Sequence, residues 1–451
     1  MKIGRGGRLL RLRRMGRMPL VSPRLWWRRV VFWVGAVLVA TTAVGFAKAS
    51  DYATALFLHL IAGHPWLPYI IAPAGLTIAF LATQFVFPGA QGSGIPQTIA
   101  ALHMHDDAMV DRVLSMRIAV GKVLLTLLGL ASGASIGREG PTVQVGASLM
   151  HALGKSLRLP RLELRRALVL AGGAAGVAAA FNTPLAGIVF AIEELSHSFE
   201  ARTSGTVFTA VVVAGATTLG LVGNYTYFGQ TAAAMNNHDA VLGVLVCSIV
   251  GGLAGGLFSQ SLIIAARGLP GFVGKFILRY PVAFAALCGL LLAVIGSLSG
   301  GQTYGTGYQQ ARGMVEAHST LPPTYALLKL AATVVSYISG IPGGIFAPSL
   351  SIGAGLGSVL APLVPSAPVG AMILLGMTAY FSGVVQAPIT ASVIVMEMTA
   401  NQTLMIPLMA TAFLSFALSR LICRRPLYGA LARRFLAVQS GRHGAPDAEA
   451  A

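Results

Sequence analysis

Three short segments place a proline directly before an apolar run: Gly92-Ser93-Gly94-Ile95-Pro96, Gly137-Arg138-Glu139-Gly140-Pro141 and Gly344-Ile345-Phe346-Ala347-Pro348. Proline is favoured in the first helical turn, where its missing N–H costs nothing, so each segment predicts a helix start. The glycines let the backbone bend and approach a ligand closely. A helix start presents free N–H groups and a partial positive charge. Three such starts converging in a low-dielectric interior make an anion site without a full positive charge. That suits a conductor, because a buried lysine would hold the anion too tightly to release it. A single Gly/Pro cluster is as well explained as a loop end between two spans; three clusters of one design are not.

Two of the segments are related. Residues 132–149 read SGASIGREGPTVQVGASL and residues 339–356 read SGIPGGIFAPSLSIGAGL, so at an offset of 207 Ser132, Gly133, Gly137, Pro141, Gly146, Ala147 and Leu149 find identical partners. Pro184 and Glu193 recur as Pro388 and Glu397 at an offset of 204, and Gly92-Ser93-Gly94 is matched by Gly305-Thr306-Gly307 at 213. The chain therefore reads as two related halves, 30–225 and 240–435, joined by a loop over 226–239. In transporters such halves pack around a shared site near the midplane.

Carboxylates without a counterpart in the second half carry the most information. Glu139 falls on Phe346 at the repeat offset, so the shared scaffold does not require an acid there. One reading is a favourable first-turn acid, worth about 0.3–1 kcal/mol. The other is a carboxylate that imitates the anion, closes the path when ionised, and swings away when protonated or displaced. Glu193 and Glu194 end an apolar run, 184–195; Glu193 has its mate in Glu397 and reads as structural, whereas Glu194 falls on Met398. An extra carboxylate at membrane depth is costly and is a functional hypothesis by default.

The elements that must position these groups are membrane helices. Among 451 residues, 55% are hydrophobic and 10% charged, against about 25% charged in soluble domains. Mean hydropathy is +0.74. Soluble folds, disorder and nucleic-acid binding are excluded, leaving an all-α polytopic membrane protein in contact with the lipid bilayer. Apolar stretches run from Val30 to Ile422, several too short to span, such as 53–62, 142–153 and 184–195. Short pieces bounded by Gly and Pro predict broken and re-entrant helices, tolerated only where they line a protein cavity. The net charge of +18 is concentrated partly in residues 1–29, which hold ten Lys and Arg and no acid. That segment reads as a cytoplasmic anchor rather than a signal peptide. The basic 154–166 loop is left unassigned to a side, and a short tail, 436–451, follows the second half. Cys247, Cys288 and Cys423 fit neither a disulfide framework nor a metal site.

In this order and with these separations, GSGIP, GREGP and GIFAP resemble the signature of the CLC chloride channels and chloride/proton antiporters, over residues 30–435. Asn182-Thr183-Pro184-Leu185-Ala186-Gly187 and the Pro426-Leu427-Tyr428 segment look like further landmarks of that family. The resemblance implies a homodimer with one pathway per subunit, inverted-topology halves and no cofactor. It implies anion coordination in the Ser93–Gly94 segment by the Ser93 hydroxyl, by the Tyr428 hydroxyl and by the N–H groups of Ile345 and Phe346. It makes Glu139 the gate and external proton acceptor and Glu194 the internal proton acceptor. It implies a prokaryote-like member of the plasma membrane, a bacterial inner membrane, with both termini cytoplasmic and without CBS domains. Gln97 departs from the acid frequent there in antiporters. Read from the residues alone, Ser93 also suits a helix N-cap and Tyr428 an interfacial anchor.

Together these readings expect an electrogenic chloride/proton antiporter, with a passive chloride channel on the same fold as the competitor; Glu194 favours exchange. An enzyme is not expected, since no catalytic set or metal cluster stands out. His103, His105, Asp106 and Asp107 lie close together but read as a solvated loop. An organic-solute transporter would leave the uncharged helix starts unexplained. No soluble partner is expected.

Overall fold

Lipid offers no hydrogen bonds, so an apolar chain in a bilayer must satisfy its backbone internally, and helices do so within one segment. The computed structural model describes residues 23–157, 162–196, 201–316 and 319–439. Among these no strand forms, and nine helices are long and apolar enough to cross a membrane. The first half holds α1 (Pro23–Ala62), α2 (Pro68–Leu81), α3 (Ile95–His103), α4 (Asp107–Leu114), α5 (Met116–Ala131), α6 (Glu139–Ser156), α7 (Leu162–Phe181), α8 (Pro184–Phe190) and α9 (Ala201–Val222). The second holds α10 (Asn237–Arg267), α11 (Gly271–Arg279), α12 (Pro281–Leu298), α13 (Tyr308–Glu316), α14 (Tyr325–Ile338), α15 (Phe346–Leu360), α16 (Val369–Val385), α17 (Pro388–Thr399), α18 (Met405–Ile422) and α19 (Leu427–Gln439). Single π turns extend α2 (Ala82–Val86) and α8 (Ala191–Ser196).

The helices repeat as the motifs do. At 213 residues, α3 superposes on α13 at both ends, and α2 and α12 begin in register; at 207, α6 and α15, and α7 and α16, begin in register; at 204, α8 and α17, and α9 and α18. The halves also exchange contacts. Glu397 on α17 accepts the N–H groups of Leu185 (3.2 Å) and Ala186 (2.8 Å) at the start of α8. Glu193, after α8, accepts those of Ile389 (3.1 Å) and Thr390 (2.6 Å) at the start of α17. Such reciprocity is what a pseudo-two-fold axis between the halves requires. It also gives Glu193 the structural role its repeat mate implied.

Glycines let the inner helices touch backbone to backbone. A Cβ on Gly353 of α15 would stand 2.6 Å from the Gly376 carbonyl of α16, and one on Gly172 of α7 would stand 2.7 Å from the carbonyl carbon of Gly146 on α6. Small residues permit this approach where lipid provides no hydrophobic drive between helices. α16 is buried along its length from Gly370 to Val385, as befits a helix apolar on every face.

Several expected boundaries move. Residues 53–62 are not a separate short piece but the end of α1, a continuous helix of 40 residues. Lys48, Ser50 and Asp51 interrupt the hydropathy there but break no backbone hydrogen bond, and Asp51 has a partner in Arg138. The expected basic segment 1–29 overlaps α1 from Pro23, a residue suited to a helix start; the rest of it lies outside the described residues. α10 begins at Asn237, inside the expected 226–239 loop, because Asn236 caps it by accepting from Asp239 N–H at 2.8 Å. α19 carries the second half to Gln439, into the expected 436–451 tail; residues 440–451, and Arg158 and Arg161 of the basic loop, lie outside the described residues.

Candidate functional site

The three proline-led segments meet. Gly137 and Gly344 exchange both backbone hydrogen bonds, at 2.6 and 2.7 Å, and Gly92 pairs with the 341–343 strand-like turn through Gly92 N–H to Ile341 O (3.3 Å) and Gly343 N–H to Gly92 O (3.1 Å). Each loop opens a helix: α3 after Gly94, α6 after Arg138, α15 after Ile345. Gly94 sits at φ +99°, and a Cβ there would come within 2.9 Å of the Gly140 carbonyl, so no other residue fits. A Cβ on Gly140 would meet the Ser93 carbonyl at 2.8 Å and the Gly344 Cα at 3.4 Å. Ser93, Gly94, Gly140 and Gly344 therefore share one small volume. Pro96, Pro141 and Pro348 each lie in the first turns of their helices, and with Ile95 and Ala347 they are buried.

Glu139 is the first residue of α6 and is 1% exposed. Its carboxylate folds back over its own helix start: a Cβ on Gly137 would lie 2.5 Å from Oε2 and 3.4 Å from the Ala347 nitrogen. The N–H of Ala347, on the first turn of α15, lies on that side of the carboxylate. The acid thus stands between the N-termini of α6 and α15, where two helix dipoles point at a negative charge. Oε1 accepts the Tyr227 hydroxyl at 3.1 Å. Oε2 is buried without a full hydrogen bond.

Ser93 and Tyr428 bring two uncharged hydroxyls to the same place. Both are buried, and neither makes a full hydrogen bond within the protein. Tyr428 stacks on Phe346, ring centroids 6.4 Å apart and planes 10° apart. Phe346 is itself wedged against Phe181, Phe190 and Phe381. Its side chain faces this aromatic cluster, which leaves the N–H groups of Ile345 and Phe346 as the free donors of a helix start. The Tyr428 hydroxyl lies within electrostatic reach of Ser93, Glu139 and Glu194.

Glu194 lies in the π turn after α8, 2% exposed, with Oε1 unpaired. Glu193 shares that π turn, but its carboxylate leaves to cap α17, so the two neighbouring acids part company. Such single π turns inside α-helices recur at functional positions.

Arg138 does not reach toward the anion position. Its guanidinium donates to Ala47 O and to Asp51 Oδ1, both at 2.6 Å, and lies 5.9 Å from the Tyr227 ring centroid. It pins α6 to α1 and supplies positive potential beside Glu139.

Two contributors escaped the sequence. Lys122 on α5 is fully buried and donates to Gln91 O (3.2 Å) and Gly92 O (2.9 Å), fixing the chain that leads into Ser93. A lysine in an apolar helix is a detectable signal, and its identity with Lys329 at the repeat offset would have found it. Tyr227 sits in the connection between α9 and α10, where no motif points to it. Gln97, where an acid was noted as frequent, donates to Gln91 O at 2.6 Å.

A cavity of about 900 Å³ opens onto Ser93 and Gln97 and is lined by Arg112, Arg117 and Arg434 among apolar walls. Asp111 also lines it, so its wall carries three arginines and one carboxylate. The His103–Asp107 cluster is used locally instead: Asp106 caps α4 through Ala108 N–H (3.0 Å), Asp107 pairs with Arg165, and His103 contacts Ile99 O at 2.9 Å. Among the described residues no group of three or more His, Cys, Asp or Glu is placed to hold a metal.

The Voltage gated chloride channel family profile matches residues 74–420. The chain is 28% identical over 467 aligned residues, covering 98% of it and 96% of the relative, to the H(+)/Cl(-) exchange transporter ClcA of Salmonella schwarzengrund. Among solved structures it resembles a slow cyanobacterial Cl-/H+ antiporter, with a TM-score of 0.78, 24% identity and coverage of 92% of this chain and 99% of that one. A CLC-type fluoride/proton antiporter gives a TM-score of 0.76 at 23% identity, covering 90% and 98%. At these identities the structural likeness speaks for the fold.

Proposed function

The chain belongs to the Voltage gated chloride channel family, and on that premise we propose that it exchanges chloride for protons across the membrane it spans, electrogenically and with Glu139 as the gate. One observation carries the reading. The Glu139 carboxylate occupies the mouth of two helix N-termini, the position three converging helix starts offer to an anion. Ionised, it competes with chloride for those N–H groups; protonated, it loses the charge that holds it. Chloride is then taken by the Ser93 and Tyr428 hydroxyls and the N–H groups of Ile345 and Phe346. None of these is a full charge, so the anion is held weakly enough to leave. The cavity lined by Arg112, Arg117, Arg434 and Asp111, basic on balance, serves as a vestibule that concentrates anions at the Ser93 end.

Glu194 favours exchange over passive conduction. A channel needs no second buried carboxylate, whereas an exchanger must carry protons to the gate from the other side. Its position near Tyr428 supports that role, as does the exchange named for the ClcA relative. We place the protein in a bacterial inner membrane as a homodimer with one pathway per subunit and both termini cytoplasmic, so that the vestibule beside α19 faces the cytoplasm.

The test is flux in reconstituted vesicles. An imposed chloride gradient should drive protons uphill in the opposite direction. Dissipation of chloride without proton movement makes the protein a channel; no chloride flux at all ends the anion reading.

A further inference from the structure

Tyr227 is held on every side. Phe181 (5.3 Å), Phe228 (4.9 Å) and Tyr308 (4.7 Å) meet its ring edge-on, the Arg138 guanidinium lies 5.9 Å from its centroid, and the adjoining Phe228 N–H is tied to Met398 O at 3.1 Å. Tyr308 is itself tethered, accepting from Arg312 at 3.1 Å, and Arg312 pairs with Glu316 at 2.6 Å. A ring so fixed can aim its hydroxyl at little else, and it donates to Glu139 Oε1 at 3.1 Å. The bond reaches the carboxylate on the oxygen opposite Oε2, which lies toward Gly137 and the Ala347 nitrogen.

We propose that Tyr227 is a latch on the gate: a positioning residue whose hydroxyl holds the seated Glu139 carboxylate and so sets how readily chloride or a proton dislodges it. The proposal rests on the reading of Glu139 as the gate. A donor to a carboxylate favours its ionised form and adds to its hold on the anion position. The other charged or titratable groups facing this pair are Arg138 on its own turn, Asp51 on α1, Tyr308 on α13 and Tyr428 on α19. None of them is altered by removing one phenolic oxygen.

The experiment compares the full chain with Tyr227→Phe, measuring chloride binding by calorimetry and chloride flux against external pH in vesicles. Without the latch chloride should bind about tenfold more tightly, the size expected for one hydrogen bond to a charged group. The pH at which flux is half-maximal should move upward. In a Glu139→Gln background the same substitution should change neither, because the carboxylate it acts on is gone. A singly fluorinated tyrosine at 227 keeps the ring shape and strengthens the donor, and should move both readouts the opposite way. Unchanged affinity and pH profile in Tyr227→Phe overturn the latch, as does an equal shift in the Glu139→Gln background, which would make the ring a shaper of the site. Absence of chloride flux in the unaltered protein sinks the gate reading itself and is seen before any variant is compared.

Discussion

Lys122 and Lys329 are one device used twice. They stand at equivalent positions of the two halves, both fully buried, and each donates to two main-chain carbonyls. Lys122 takes Gln91 O and Gly92 O; Lys329 takes Thr303 O and Gly305 O, both at 2.8 Å. The carbonyls lead into α3 in one half and α13 in the other. Replacing either lysine by Met keeps the bulk and orphans two buried acceptors, a cost on the order of 2–5 kcal/mol. We expect both variants to unfold at clearly lower temperature in detergent. Lys122→Met should also alter anion discrimination, since Gly92 precedes Ser93, whereas Lys329→Met should not. Equal selectivity changes in the two would detach the effect from Ser93.

The glutamate exchange between the halves predicts a purely structural phenotype. Glu397→Gln weakens its bonds to the Leu185 and Ala186 N–H groups and should lower stability by about 1–3 kcal/mol. The ratio of protons to chloride should be unchanged. A thermal melt alongside paired flux measurements checks both, and a lost proton current would give this residue a place in the pathway.

Glu139→Gln removes the charge that competes with the anion and the proton it carries. In the unaltered protein, external acid neutralises the carboxylate and flux rises as pH falls. In the variant, chloride flux should persist with that dependence abolished. A retained acid response would return Glu139 to the role of a first-turn acid.

Glu194→Gln separates the two transported species. Proton movement should vanish while chloride still crosses, and the melting temperature should hold or rise, because an unpaired buried acid is replaced by a neutral group. Proton pumping that survives the substitution would leave Glu194 without a transport role.

Much of this was legible in the sequence because glycine and proline mark backbone events. The starts of α3, α6 and α15 could be read from Gly94, Pro141 and Pro348, and the repeat fixed how the halves correspond. α1 was misread because hydropathy averages side chains while helices are broken by backbone; Lys48 and Asp51 are polar but helix-compatible, and Arg138 lies too far along the chain to announce itself as the partner. Tyr227 was invisible for a related reason. It reaches Glu139 across 88 residues from a connection without periodicity, so only the folded chain brings the two together.

The Gly137–Gly344 pair has a consequence for how the molecule is made. The two donors and two acceptors it satisfies belong to different halves, and Gly344 is synthesised long after Gly137 has entered the membrane. Until then the nascent first half carries an incomplete anion site with unpaired backbone at its heart. Closure of this pair therefore waits for the chain that leads into α15, and a chain truncated before α15 should be a client for membrane quality control.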